Sequence, residues 1–345
     1  MKLGIIGLSG SGKTTVFEAL TQQFMDIGNK TESRIGTIRV PDTRVDVLSD
    51  MFRPRKTIYA QVEYFLPGKS QQPNKDKKLE QTQWNSVRDC DALIHVVRNF
   101  ESYGMDAPQP ATAIRTLNQE LILNDLVSVE KRLERLELDK KRGKVIDLEE
   151  QHLLIICKEM LENEKSLRQN AEIVNARVLR GFAFLSAKPM LILFNNTDDN
   201  VDLPKTEELF TQDNALVIRG KLEQELAQMN PEETEAFLKE FQIDASATDR
   251  VIKASYSLID LISFFTVGED EVRAWTIKNH TSAYDAAEVI HSDIKKGFIR
   301  AEVISYADLM AVGSYAEARK KGSIRLEGKT YIVQDGDIVH FRFNV

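Results

Sequence analysis

The sequence predicts an α/β protein: a P-loop NTPase doubly wound sheet carrying an inserted helical coiled-coil arm and, at its end, a small separate α+β domain. Three patterns carry the first part of that expectation. An apolar strand pattern over residues 2–8 runs through Gly7-Leu8-Ser9-Gly10-Ser11-Gly12-Lys13-Thr14 into a helical pattern over 13–23, with Val16, Phe17 and Leu20 on one face. Short apolar runs at 92–97, 190–194 and 215–218 then read as central strands of a parallel sheet, with helical patterns between them. Residues 119–187 break that alternation with a heptad-like seam.

In chain order, the domain expectations are a nucleotide domain from 1–118 and 188–261, an arm from 119–187, and a last domain from 262–345. The arm rests on Ile122, Leu126, Val129, Leu133 and Leu136, which step by four and three, and on Leu153, Ile156, Met160 and Leu167, which resume that spacing after a turn at 140–144 containing Gly143. Asn230-Pro231-Glu232-Glu233 is a helix start: a cap, proline at the first helical position, then acids in the first turn. Residues 271–277 and 331–344 alternate like strands, and Asp335-Gly336 supplies a tight turn.

Composition narrows the class. With 42% apolar residues over 345 positions, the chain has the makings of two or three packed domains, not a disordered or fibrous polymer. The longest apolar runs, at 153–157 and 190–194, fall far short of the roughly 20 residues a membrane-spanning helix needs. Cys90 and Cys157 lack metal-ligand spacing, and Gly7 ends the only apolar N-terminal stretch. A cytoplasmic monomer without membrane attachment is the expectation. The net charge of −7 leaves room for a local basic patch.

The Gly-x4-Gly-Lys-Thr string carries specific chemistry. Its glycines let successive backbone N–H groups turn inward on a phosphate chain, and the helix that follows adds partial positive charge at its N-terminus. Ser9, Gly10, Ser11, Gly12, Lys13, Thr14 and Thr15 are therefore the phosphate-binding candidates. Lys13 is also the catalytic candidate, neutralising β- and γ-phosphate oxygens, while the Thr14 hydroxyl is a candidate Mg²⁺ ligand.

Longer strings carry a resemblance. Residues 268–277 (Gly-Glu-Asp-Glu-Val-Arg-Ala-Trp-Thr-Ile), 291–303 (His-Ser-Asp-Ile-Lys-Lys-Gly-Phe-Ile-Arg-Ala-Glu-Val) and 327–345 are similar to the TGS module of the YchF / Obg-like ATPase family. Weaker matches are Val40-Pro41-Asp42 with Arg44 and Asp46, His95-Val96-Val97-Arg98 with Phe100-Glu101, and Leu179-Arg180-Gly181-Phe182 ahead of Lys188-Pro189. The resemblance implies that the last domain is a C-terminal β-grasp (TGS) domain, and that the chain is a Mg²⁺-dependent NTPase that prefers ATP and associates with a ribosome or RNA through that domain and the helical arm. It also implies a first-switch Thr, for which Thr31 is the nearest candidate as a second Mg²⁺ ligand.

Departures from the family pattern set the alternatives. Leu66 stands near the position of the second-switch Asp, and Pro67 removes a backbone N–H beside it. Residues 69–78 form a polar stretch where the family is glycine-rich, and 102–112 contain no histidine to orient water. His95 sits in a strand pattern and reads as structural. Either slow hydrolysis survives these losses, or the chain is a nucleotide-binding module with little turnover. Base reading falls to Asn195-Asn196-Thr197-Asp198, with Asn195 bracing the phosphate loop. The Asp198 carboxylate suits guanine while the family prefers adenine, so ATP and GTP both stand. Gly220 offers a backbone N–H behind the base. Lys295, Lys296, Arg300, Arg319, Lys320, Lys321, Arg325, Lys329 and Arg342 give the last domain a basic character.

Overall fold

The computed structural model describes residues 1–24, 32–68, 84–205, 214–240 and 246–344. They form two compact units, residues 1–37 with 63–251 and residues 38–62 with 252–345.

The first unit is built on a six-stranded sheet in the order β2-β4-β1-β5-β6-β7. Its strands are β1 (Lys2–Ile6), β2 (Arg34–Arg39), β4 (Gln61–Leu66), β5 (Ala92–Asn99), β6 (Met190–Asn196) and β7 (Ala215–Ile218); β3 (Lys56–Ile58) belongs elsewhere. β1 pairs in parallel with both β4 and β5, β5 with β6, and β6 with β7. The chain runs from β1 to one side and later crosses to the other, so a crevice opens at the carboxyl ends of β1 and β5. β6 is buried along its whole length, the near-continuous apolar run of a strand covered on both faces.

Helix α1 (Lys13–Thr21) follows β1 and buries Val16, Phe17, Ala19 and Leu20. Helix α2 (Thr43–Phe52) lies between β2 and β3. Helix α3 (Pro110–Lys141) opens with proline at its start and runs unbroken for 32 residues. Its first half packs Ile114, Leu117 and Leu121 over the sheet. Its second half pairs with α4 (Leu148–Glu162) through Ile122, Val129 and Leu136 against Leu153, Leu154, Cys157 and Leu161. Salt bridges Arg132–Glu150 at 2.7 Å and Glu130–Lys158 at 3.4 Å show that the two helices run antiparallel. The expected boundary at 119 thus cuts a continuous helix. Nothing in the sequence between 110 and 141 breaks the helical period, so the insertion has no separate beginning. Asp125, fully buried on α3, ties the return of the insertion to the sheet by accepting from the Leu185 and Ser186 N–H groups at 3.0 and 2.7 Å.

The second unit holds a mixed sheet in the order β11-β10-β12-β8-β9-β3, formed with β8 (Leu261–Val267), β9 (Glu271–Lys278), β10 (Phe298–Ser305), β11 (Arg325–Glu327) and β12 (Asp337–Phe343). It grasps helix Ala283–Ile290, whose Ala283, Ala286 and Ala287 meet Phe264, Ile277, Phe298 and Phe341. Of the strand expected over 331–344, only 337–343 is strand; Asp335-Gly336 is the turn before it, with Gly336 at φ 86°. Residues 38–62 belong here and not with the nucleotide domain of the sequence reading. β3 pairs in parallel with β9, and α2 buries Val45 and Leu48 completely. A three-residue strand leaves no periodic signal, and the apolar spacing of α2 does not say which core it fills.

Candidate functional site

The Gly-Lys-Thr loop lies where β1 turns into α1, at the crevice of the first sheet. Three glycines shape it: Gly7, Gly10 and Gly12 have φ of 150°, 75° and 90°. Gly12 is the N-cap of α1 in left-handed geometry, and a Cβ there would stand 2.2 Å from the Asn195 Nδ2. A Cβ at Gly7 would stand 2.4 Å from the Val96 carbonyl oxygen, so the loop packs directly on β5. The Lys13 ammonium folds back along the loop and donates to the carbonyls of Gly7 at 2.7 Å and Leu8 at 2.8 Å. Ser9 and Gly10 are exposed, and Thr14 and Thr15 are half-buried in the first turn of α1. Ser11 is 3% exposed, and its Oγ has no hydrogen-bond partner among the described residues.

Asn195, at the end of β6, holds the loop from behind. Its Nδ2 donates to the Ser11 carbonyl at 3.2 Å, and its Oδ1 accepts the Gly220 N–H at 3.0 Å. Both ends of a buried amide are thereby used, and the phosphate loop is tied to the start of helix Gly220–Leu226. Two expectations change as a result. The Gly220 N–H is spent on Asn195 and is not presented to a base. Asn196 also turns away from the loop: it accepts from Asn99 at 2.8 Å and donates to the carbonyls of Asn200 and Asp202 at 3.1 and 2.9 Å, closing the turn after β6. Successive strand residues face opposite sides, so only one of the two asparagines can brace the loop. Asp198 is exposed, and Arg219 donates to its backbone carbonyl at 3.4 Å.

The switch positions are less polar than the loop. Leu66 is 7% exposed and Pro67 is buried, so no carboxylate stands at the end of β4. Thr31 and the stretch 69–78 lie outside the described residues. Sequence reasoning missed the segment after β5. Met105 lies over the loop, close enough that a Cβ on Gly10 would stand 2.6 Å from its Cε, and Arg98 Nη2 fastens the segment by donating to the Asp106 carbonyl at 2.7 Å. Neither has a sequence signal, since both contacts depend on how the segment folds back. A cleft lined by Ser9, Ser11, Arg98, Met105 and Gln109 opens beside it.

His95 is fully buried on β5, and neither ring nitrogen has a hydrogen-bond partner among the described residues. Burial, with the nearby cations of Arg168 and Lys13, pushes its pKa down to about 3, so it is neutral and structural. The basic character expected of the last domain is largely cancelled. Lys295 pairs with Asp285 and Glu288, Lys296 with Asp293, Lys320 with Glu317, Arg325 with Glu327 and Asp337, and Arg319 and Arg342 both with buried Glu302. Of the nine cations, Arg300, Lys321 and Lys329 have no ion pair among the described residues.

A doubly wound sheet, parallel from β4 through β1, β5 and β6 to β7, with a glycine loop between its first strand and helix, lysine at the helix start and an asparagine brace behind, defines the P-loop NTPase fold. Comparison with known proteins makes the assignment specific. A family model named for the C-terminal part of YchF GTPases, and described as a protein of unknown function, matches residues 261–344. The ribosome-binding ATPase YchF of Bacillus subtilis is 39% identical, with 99% of each chain covered. That of Haemophilus ducreyi is 37% identical over 100% of this chain and 99% of its own. The solved YchF GTPase of Schizosaccharomyces pombe superposes with a TM-score of 0.83 at 27% identity, covering 99% of this chain and 97% of that one. The chain belongs to the YchF family.

Proposed function

We propose that the chain is a slow Mg²⁺-dependent purine-nucleoside-triphosphate hydrolase that works in association with the ribosome. One observation carries the nucleotide part: a left-handed glycine loop between β1 and α1 with the Lys13 ammonium held along it by two carbonyls of the same loop. A triphosphate offers Lys13 stronger, charged acceptors than those carbonyls, so the ammonium would exchange them for β- and γ-phosphate oxygens. The loop amides from Ser9 to Thr15 then line the phosphate chain, and Asn195 keeps the loop from opening.

The residues present suit a magnesium ion delivered with the phosphates. Thr14 is half-buried at the first turn, and its hydroxyl makes no hydrogen bond among the described residues. Among those residues no group of three or more His, Cys, Asp or Glu could hold a cation unaided. A site with one protein oxygen, phosphate oxygens and water is the habit of Mg²⁺. When bound, the ion supplies charge neutralisation on the phosphates. Thr31 is a further candidate ligand by resemblance.

The relatives' printed names, ribosome-binding ATPase in bacteria and GTPase in fission yeast, support hydrolysis and the ribosome as partner. A ribosomal partner supports a cytoplasmic location; separately, among the described residues no helix is long and apolar enough to cross a membrane. We assign ribosome contact to the α3–α4 hairpin and the second unit. Leu66 at the end of β4 favours slow turnover, because leucine cannot anchor a metal-bound water. Base choice rests on Asp198. Titration calorimetry with ATP and GTP, with and without Mg²⁺, tests the reading. Micromolar binding strengthened by Mg²⁺ supports it, loss of guanine preference in Asp198→Asn assigns the base reader, and absence of binding to both nucleotides overturns it.

A further inference from the structure

Leu179-Arg180 and Lys188-Pro189 take no part in the phosphate loop, yet the fold of the first unit brings them to one cleft. It has a volume of about 180 Å³ and is walled by helix Ala171–Asn175, the 3₁₀ helix Arg177–Phe182 and the residues that enter β5 and β6. Asp91 precedes β5 and Pro189 precedes β6, so the cleft sits at the amino ends of these strands. Asn195 and the phosphate loop it braces stand at the carboxyl end of β6, about 20 Å of strand away. The cleft is separate from the nucleotide crevice.

Its walls are apolar, with two cations among them. Ile173, Leu179 and Phe184 are buried and line it. Ala183, between Phe182 and Phe184, has a φ of 48°, a left-handed geometry that a Cβ makes unfavourable, and the two rings stack at 5.0 Å across it. Lys188 is half-buried, and its ammonium donates to the Cys90 carbonyl at 2.6 Å. That neutral oxygen is its only hydrogen-bond acceptor among the described residues, and burial pulls its pKa below the usual lysine value. Arg180 is exposed and makes no ion pair among the described residues. Asp91, the one acid among the described lining residues, already accepts the Lys2 N–H at 2.8 Å.

A cavity of about 150 Å³ holds a benzene ring, so this cleft has room for one ring or one branched chain and is too small for a nucleotide. Its two cations outnumber its one acid and complement an anion that carries such a body. We propose that the cleft is a second ligand site of this chain, taking a small carboxylate with an aromatic or branched apolar body. Lys188 and Arg180 hold the carboxylate, and Ile173, Leu179 and Phe184 meet the body. The carboxylate gives the Lys188 ammonium the charged acceptor that the Cys90 carbonyl is not. The site stands whether or not the nucleotide reading does, because none of its residues belongs to the phosphate loop.

Methyl NMR on the full chain, labelled at Ile, Leu and Val, tests this with phenylacetate as the probe and phenylacetamide and acetate as controls. Phenylacetate is expected to shift the Ile173, Val174 and Leu179 methyls saturably, with a dissociation constant on the order of 1 mM. Phenylacetamide has the ring without the charge and acetate the charge without the ring; each is expected to bind about fivefold more weakly or worse. Arg180→Gln and Lys188→Gln are each expected to weaken phenylacetate by about threefold or more. If Lys188→Gln moves methyls throughout the first unit without probe, the exposed Arg180→Gln decides alone. Lys13→Ala is expected to bind phenylacetate as wild type does. No saturable shift at these methyls up to about 20 mM overturns the site. So does unchanged affinity in the Arg180 variant, equal affinity for the amide or for acetate, or loss of binding in Lys13→Ala, which would put the carboxylate at the phosphate loop.

Discussion

Replacing Asn195 with alanine tests how the phosphate loop is held. The side chain is 4% exposed and both of its polar ends are used, by the Ser11 carbonyl and the Gly220 N–H. Truncation leaves the buried Gly220 N–H without an acceptor, which costs about 1–3 kcal/mol, and removes the bond to Ser11, about 0.5–1.5 kcal/mol more. The sum, roughly 2–4 kcal/mol, corresponds to a fall in the melting temperature of the first unit of roughly 5–15 °C. Thermal unfolding followed by circular dichroism measures it, and nucleotide titration on the same protein should show weaker binding, because the loop is no longer tied to helix Gly220–Leu226. Asn195→Asp separates the two bonds: it keeps an acceptor for Gly220 but sets a carboxylate against the Ser11 carbonyl. A melting temperature within about 2 °C of wild type for Asn195→Ala, with unchanged nucleotide affinity, would refute the brace, since it lies well below the roughly 5–15 °C that losing both bonds costs.

Two further outcomes are expected. Gly12→Ala forces a side chain into left-handed geometry, at about 1–2 kcal/mol, and against Asn195 Nδ2, so it should destabilise the first unit and weaken nucleotide binding. In a urea-unfolding cycle it should cost less in the Asn195→Ala background, where the clash is gone. His95 titrates near 6.5 when unfolded and at about 3 when folded. The unfolded chain therefore binds the extra proton between those values, and the stability present above pH 6.5 is lost as pH falls toward 3. From pH 7 to 4 the loss is about 3 kcal/mol. Urea midpoints across that range measure it, and His95→Leu should flatten the acid limb.

Legibility in the sequence followed the range of the interaction that decides each feature. The phosphate loop was readable because strand, turn and helix are contiguous, and each glycine's need for unusual backbone geometry is local. The seam of Ile122, Val129 and Leu136 was readable from its period. The placement of 38–62 was not, because β3–β9 pairing joins residues more than 200 positions apart and leaves no local mark. The cancelled basic character of the last domain was half readable. Lys296–Asp293 and Lys320–Glu317 stand three apart on helices, whereas Arg342–Glu302 appears only once β10 and β12 are paired. The bonds of Asn196 to the turn after β6 and of the Gly220 N–H to Asn195 left no local mark, because they depend on which way a strand residue faces and on a contact between residues 25 positions apart.

The central claim, that this loop acts on the γ-phosphate, is tested most directly by single-turnover hydrolysis of ATP and of GTP with Mg²⁺, comparing wild type with Lys13→Ala. The structure predicts slow wild-type release of phosphate that disappears in Lys13→Ala, because the ammonium that neutralises the leaving phosphates is gone. Equal rates in the two proteins would contradict it.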